Sequence, residues 1–321
     1  MRKFDIEKKD DGRRLDKWIA AELPKISRGA MQKFLRLKKF KLNGKPAKAD
    51  SRLQSGDALE IYIEDEYFEA VAKVDTFLRD FTYRIDIVYE DEHVLLLNKP
   101  EGMLVHPDAS EKINTLVTHA RAYLYQKGSY DSTDSEAFAP VPVNRIDRFT
   151  GGIVLIAKSK EAMQVLSRAI RDHKIEKYYL AIVHGEPRPV RGLIDNYILK
   201  TPGRRKVRVF NYAEPTAQRA QTRYEVLDKK DDLSLVECTL ITGRTHQIRA
   251  QFAHMGHPLL GDGQYGDPNE AHILGLSQQA LWAYGIKFNL GADAGALKNL
   301  DGKQFFLDRV PMVDDYFPEP E

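Results

Sequence analysis

The chain has 321 residues, 42% of them hydrophobic, which is enough for one large folded unit and a small one and excludes a disordered polymer. Its 49 Lys and Arg nearly balance 47 Asp and Glu for a net charge of +2, so global charge identifies no partner, although its distribution does. A single cysteine, Cys238, excludes an intramolecular disulfide and a cysteine-built zinc cage, and its expected place is a small buried position in a strand.

The first residues, Met1 to Lys9, lack the apolar stretch of a signal peptide, and no later run approaches membrane-spanning length. A cytoplasmic location with no membrane partner is expected. From Arg13 to Ile63 there are thirteen basic against five acidic residues, a local excess of eight. Within this basic module Leu15, Trp18 and Ile19 recur at i, i+3 and i+4, and Met31, Phe34 and Leu35 repeat that spacing, which predicts two short amphipathic helices separated by Pro24. Ser27 is a natural N-cap for the second helix, and Lys33 and Arg36 then point away from its apolar face, where they can meet phosphates. Phe40 to Leu42 runs into the tight-turn pair Asn43-Gly44, and Ala58 to Ile63 alternates as a strand. A solvated basic face without a ligand is the alternative to RNA binding.

The acidic, aromatic stretch beginning at Glu64 to Glu69 marks a connecting segment, giving a domain at 1–65, a linker at 66–82 and a body at 83–321. In the body, strand-like runs (Val94 to Leu97, Ile153 to Ala157, Tyr179 to Val183, Leu235 to Leu240) mix with helix-like ones (Ile113 to Leu124, Lys160 to His173, Thr245 to His254) without a regular βα repeat, the pattern of an α+β fold. Lys127 to Glu136 reads as a polar surface loop. Lys200 to Arg208 reads as a basic, hairpin-like segment able to grip RNA, or as a solvated loop.

The most informative run is Asn144-Arg145-Ile146-Asp147-Arg148-Phe149-Thr150-Gly151-Gly152, where one carboxylate stands between two guanidinium groups at the entrance to the apolar strand Ile153 to Ala157. Such a run also occurs in ordinary turns, where the Asp caps a backbone amide, and the segment alone does not separate the two readings. It resembles the signature of the RluA family of pseudouridine synthases, His-Arg-Leu-Asp-x-x-Thr-Ser-Gly. Three further segments are similar to that family in the right order: Val88 to Asp91 through Asn98-Lys99-Pro100-Glu101-Gly102 to Val105-His106-Pro107; Lys177-Tyr178-Tyr179-Leu180-Ala181-Ile182-Val183-His184-Gly185; and Thr242-Gly243-Arg244-Thr245-His246-Gln247-Ile248-Arg249, followed by His254 to Pro258 and Gly261-Asp262. The departures are Asn144 for His and Gly151 for Ser. Asn144 keeps hydrogen bonding but not a ring, and Gly151 predicts a looser turn after Thr150. The basic module resembles the small RNA-binding domain first known from ribosomal protein S-four.

This resemblance implies a pseudouridine synthase core, a central mixed, largely antiparallel sheet flanked by helices, with a small N-terminal α/β RNA-binding domain. It implies Asp147 as the catalytic carboxylate, Arg249 as its salt-bridge partner and Tyr179, in preference to Tyr178, as the aromatic that stacks on uracil and is a candidate base for the proton at carbon 5. A guanidinium beside a carboxylate favours its ionised form. Arg145 is the implied residue that fills the gap left by a flipped base, and Arg244, Thr245, His246 and Gln247 line the cleft. Attack on the sugar and elimination both use the one carboxylate. The isomerisation requires no nucleotide, metal or redox cofactor. RNA is the expected partner, ribosomal RNA before transfer RNA, and no protein partner is implied. Two rival readings are a metal-dependent hydrolase using His246, His254 and His257, which lack the helical His-Glu-x-x-His frame, and an RNA-binding or ribosome assembly factor without catalysis.

Overall fold

The computed structural model describes residues 1–23, 26–68, 76–134, 137–273 and 279–318, the side chains of Glu66 and Ala271 apart. They form two compact units, Met1–Thr82 with Arg121–Ala137, and Tyr83–Ala120 with Phe138–Glu321.

In the N-terminal unit the helix Leu15–Glu22 buries Leu15, Trp18 and Ile19, and the helix Arg28–Arg36 buries Phe34. The hydroxyl of Ser27 accepts the Ala30 N–H at 3.2 Å, so the polar residue ahead of the second helix does cap it. Pro24, expected to separate the helices, lies outside the described residues, as does Lys25. Strands β1 (Arg2–Asp5), β2 (Phe40–Leu42), β3 (Lys45–Pro46) and β4 (Ala58–Ile61) pair in the order β1-β4-β2-β3, antiparallel throughout. Asn43 and Gly44 both take positive φ, +50° and +75°, which closes the β2–β3 hairpin. Phe40, Leu59 and Ile61 complete the core beneath the helices. Tyr67 and Phe68, read from sequence as the start of a connecting segment, pack into this same core, with Phe68 stacked on Phe4 at 6.2 Å. Residues 69–75 of that segment, and Ser135 and Glu136 of the polar loop, lie outside the described residues.

The larger unit is built on one sheet. Its described strands run β11-β10-β12-β13-β9-β14-β8-β6-β5, with β15 on β14 and β7 on β8. The ranges are β5 Ile87–Glu90, β6 Val94–Lys99, β7 Val141–Pro142, β8 Gly151–Ala157, β9 Ile175–His184, β10 Arg191–Leu199, β11 Arg208–Phe210, β12 Gln218–Lys230, β13 Leu233–Leu240, β14 Leu281–Phe288 and β15 Gln304–Phe306. All described pairings between these strands are antiparallel except β8 with β14, so the sheet is mixed and largely antiparallel, as the family resemblance implies. β8 is buried at every residue, which is why it reads as a continuous apolar run rather than an alternating one. The helix Lys160–Arg171, capped by Ser159, lays Ala162, Leu166 and Ala169 on β8 and β6, sealing one side of the core. Cys238 is buried in β13. Among the described residues no helix is long and apolar enough to cross a membrane.

Candidate active site

The loop between β7 and β8 carries Asp147, and hydrogen bonds pin the loop on both sides of it. Before it, Asn144 accepts the Leu155 N–H at 2.8 Å and donates to the Ile153 carbonyl at 3.5 Å, tying the loop to β8. After it, the Thr150 N–H donates to the Asp147 carbonyl at 3.1 Å, and Arg148 Nε donates to the Gly102 carbonyl at 2.9 Å. Beneath lies Lys99, fully buried, whose ammonium donates to the carbonyls of Pro100, Met103 and Arg148 at 2.7, 2.9 and 2.9 Å. Burial pushes the Lys99 pKa down to about 7, against the attraction of Glu101 and Asp147.

The turn after Thr150 is tight, not loose as Gly151 suggests in the sequence. Gly151 pairs with Trp282 across the parallel strands, and a Cβ there would overlap the Trp282 indole; one on Gly152, at φ +111°, would overlap the Ala283 carbonyl. Both glycines are set by the close approach of β14.

Arg249, in the first turn of the helix Gln247–His254, is buried and uses three sides of its guanidinium. Nη1 donates to Asp147 Oδ2 at 3.0 Å, while Nε and Nη2 grip the buried Asp262 in a fork at 2.8 and 2.9 Å. Nη2 also donates to Gln264 Oε1 at 3.2 Å, and the Tyr265 ring lies 5.3 Å from the guanidinium carbon. Burial works against the charge, but Asp262 and then Asp147 outweigh it and raise the Arg249 pKa.

His246 precedes that helix in a left-handed conformation, φ +53°, an uncommon state for a residue with a side chain. The helix therefore begins at Gln247 instead of Thr245. The His246 ring sits with Nδ1 2.9 Å from the Tyr265 hydroxyl and Nε2 3.8 Å from Asp147 Oδ2. Burial lowers its pKa against the pull of Asp147.

Tyr179 in β9 is 6% exposed, and burial, then the Asp147 charge, raise the pKa of its phenol. Tyr178 faces the other way, as alternation along a strand requires, and donates to Glu176 Oε2. Of the two, only Tyr179 lines the cavity that holds Asp147.

That cavity encloses about 800 Å³, a second encloses about 830 Å³, and they share Arg145, Ile146, Asp147, His246 and Arg249. Asp147 thus stands where two lobes of one cleft meet. Arg145 is exposed at the junction and forms no hydrogen bond or ion pair with the described residues. Arg244, Thr245 and Gln247 line the first lobe, but to different effect. Arg244 Nε donates to the Arg219 carbonyl at 3.1 Å, and Thr245 is exposed. Gln247 is 3% exposed and its amide is spent inside the protein, on the Gln221 carbonyl and on Thr222, Thr242 and the Arg244 N–H. Lys33 and Arg36 are exposed on the second helix of the N-terminal unit. His254 and His257 turn to separate partners, Asn211 Oδ1 at 2.9 Å and the His184 carbonyl at 2.8 Å.

Residues 93–254 match the family model described as RNA pseudouridylate synthase, and residues 13–59 match the S4 domain. A relative named ribosomal large subunit pseudouridine synthase C, from Vibrio cholerae, is 32% identical over 297 residues, covering 89% of this chain and 88% of its own. The chain belongs to the RNA pseudouridylate synthase family. A relative named ribosomal large subunit pseudouridine synthase D, from Zymomonas mobilis, is 37% identical over 230 residues, covering 70% of this chain and 68% of its own. The solved structure of human RNA pseudouridylate synthase domain containing 4 shares the fold, with a TM-score of 0.54 at 23% identity over 77% of this chain and 94% of that one. The synthase is therefore an isomerase of RNA uridines, carrying an S4 RNA-binding domain at its N-terminus.

Sequence reasoning passed over Lys99, Asp262, Gln264 and Tyr265 as site components. Lys99 and Asp262 lie inside family-like segments without an evident role there, and nothing in the sequence marks Gln264 or Tyr265 as partners of Arg249 and His246.

Proposed function

We propose that the synthase modifies uridines of large-subunit ribosomal RNA in the cytoplasm, with Asp147 as the catalytic carboxylate. The observation that carries this reading is the placement of Asp147, partly exposed at the meeting of two cavities and held by Arg249, which Asp262 holds in turn. The names of the two bacterial relatives support the choice of ribosomal RNA over transfer RNA. In this reading residues 1–65 dock RNA through a face that includes Lys33 and Arg36, 66–82 connect, and 83–321 perform the reaction.

The reaction breaks the bond between N1 and C1′ and makes one between C5 and C1′; C5 loses a proton and N1 gains one. The target uridine leaves its stack to reach Asp147, at a cost of a few kcal/mol, and the free guanidinium of Arg145 takes its place between neighbouring bases. Asp147 assists departure of the base from C1′, and Arg249 keeps the carboxylate ionised and fixed in direction. Tyr179 stacks on the uracil and keeps it in the site while it turns. Burial holds that phenol protonated at neutral pH. It therefore accepts the C5 proton only in concert with release of its own to Asp147, which is free again once C5 is bonded to C1′, and Asp147 then passes that proton to N1 and is regenerated as the carboxylate. Arg244, Thr245 and His246 contact the strand, and Gln247 acts behind them by bracing the helix start.

Mapping of pseudouridine in cells lacking the gene tests the substrate. The expected outcome is loss at defined positions of large-subunit ribosomal RNA, restored by the wild-type gene and not by Asp147→Asn. Loss in transfer RNA alone would reassign the substrate, and no loss in either would favour an RNA-binding or assembly role.

A further inference from the structure

Lys177 is a cation of the cleft that is withdrawn from solvent, unlike the exposed Arg145, and has no counter-charge among the described residues. Lys177 lies two residues before Tyr179 on β9, and the two line the same cavity. Lys177 is half-buried, its ammonium lies beside Gly243, and it forms no hydrogen bond or ion pair with any described residue. Among the described residues, Asp147 is the one carboxylate lining this cavity, and it is already engaged by Arg249. A half-buried charge without a partner is costly, and burial accordingly lowers the Lys177 pKa. Gly243 leaves that side of the ammonium uncovered: a Cβ there would touch Nζ at 3.7 Å. Such a group is stabilised only when an anion arrives, and RNA brings one at every nucleotide.

We propose that Lys177 is the ligand of a phosphodiester flanking the flipped uridine. Two residues along a strand span about 7 Å, a distance that one nucleotide covers, so a base on Tyr179 and a neighbouring phosphate on Lys177 fit the pleat spacing of β9. A uracil carbonyl could accept a hydrogen bond from the ammonium but would leave its charge uncompensated, which is why phosphate is the assigned partner. The RNA strand accordingly leaves the site through this lobe, past Arg171 and Lys200 on its rim.

This assignment rests on the isomerase reading of Asp147 and Tyr179, and one experiment separates the two. Binding of a large-subunit ribosomal RNA transcript is measured across a salt series for wild type, Lys177→Gln, Lys177→Met and Lys177→Arg, with release of tritium from C5-labelled uridine followed in the same reactions. The expected result is a roughly tenfold loss of affinity for the neutral variants and a salt slope shallower by about 0.7 to 0.9, the contribution of one lost phosphate contact. Lys177→Arg should keep the wild-type slope, and the neutral variants should melt no lower than wild type, since they remove an uncompensated charge. A wild-type slope in either neutral variant, or a shallower one in Lys177→Arg, overturns the phosphate assignment while tritium release by the wild type leaves the isomerase reading standing. Absence of release by the wild type overturns that reading, and this assignment with it.

Discussion

Gly151 stands where the family pattern has a serine, and the reason is on the neighbouring strand, not in the loop itself. The Trp282 ring fills the space a side chain would need, so the pair forms one packing solution. Gly151→Ser should destabilise the fold by about 1 to 3 kcal/mol through overpacking, measurable by urea unfolding, and Trp282→Leu added to it should recover part of the loss. A lone Gly151→Ser of wild-type stability would contradict this account. Asn144 fills its position differently: its amide replaces a ring with two hydrogen bonds to β8, so rigidity of the loop survives the exchange. Lys99 supplies a pH prediction. Its folded pKa is depressed from 10.5 to about 7, so between these values the unfolded chain binds one more proton and stability rises with pH. The slope approaches about 1.4 kcal/mol per pH unit in that window, and the contribution is lost as pH falls through 7. Lys99→Met should flatten the rise between pH 7 and 9, whatever constant offset the three unpaired carbonyls add. An unchanged rise would show that Lys99 is not its source.

At the scale of elements, legibility followed burial. β6 and β8, together with the centre of β9, are apolar runs buried in the sheet, and their composition alone marks them as strands. β10 and β12 escaped notice because each has an exposed face; Arg-Gly-Leu-Ile-Asp-Asn and Gln-Arg-Ala-Gln-Thr-Arg mix charge and apolar residues with no continuous run. The short motifs pointed to Asp147, Tyr179 and Arg249, and the family resemblance to the ion pair of Arg249 with Asp147, but nothing pointed to the anchors of Arg249. Arg249 meets Asp147 across 102 residues of sequence, and its anchor Asp262 and neighbour Gln264 follow from how the loop after the helix folds back, which no local pattern encodes. The start of that helix was misread by two residues because His246 adopts a left-handed turn, invisible to periodicity. In the N-terminal unit the second helix was legible down to its cap, and its exposed cations make a prediction at this scale. Lys33→Glu combined with Arg36→Glu should weaken binding of ribosomal RNA, make its salt dependence shallower by about 1 to 2 in slope, and raise KM more than it lowers kcat. Wild-type affinity and slope would mean that this face is merely solvated.

Across the whole molecule a net charge of +2 conceals a division of labour. Basic residues are in excess between Arg13 and Ile63, and Arg145, Arg171, Lys177, Lys200, Arg244 and Arg249 line the first lobe of the cleft, where Asp147 is the one carboxylate among the described residues; in the proposed function such cations position RNA through phosphate, without reading sequence. The buried chain from Asp262 through Arg249 to Asp147 fixes the one carboxylate of the first lobe before RNA arrives, so the site is organised in the free protein. The proposed role of Asp147 in catalysis is tested by tritium release from ribosomal RNA labelled at C5 of uridine, by wild type and Asp147→Asn, with RNA binding and folding checked in parallel. Release by wild type is expected, at a rate at least about a thousandfold above that of Asp147→Asn, with RNA binding retained; release by Asp147→Asn at the wild-type rate would remove Asp147 from the chemistry.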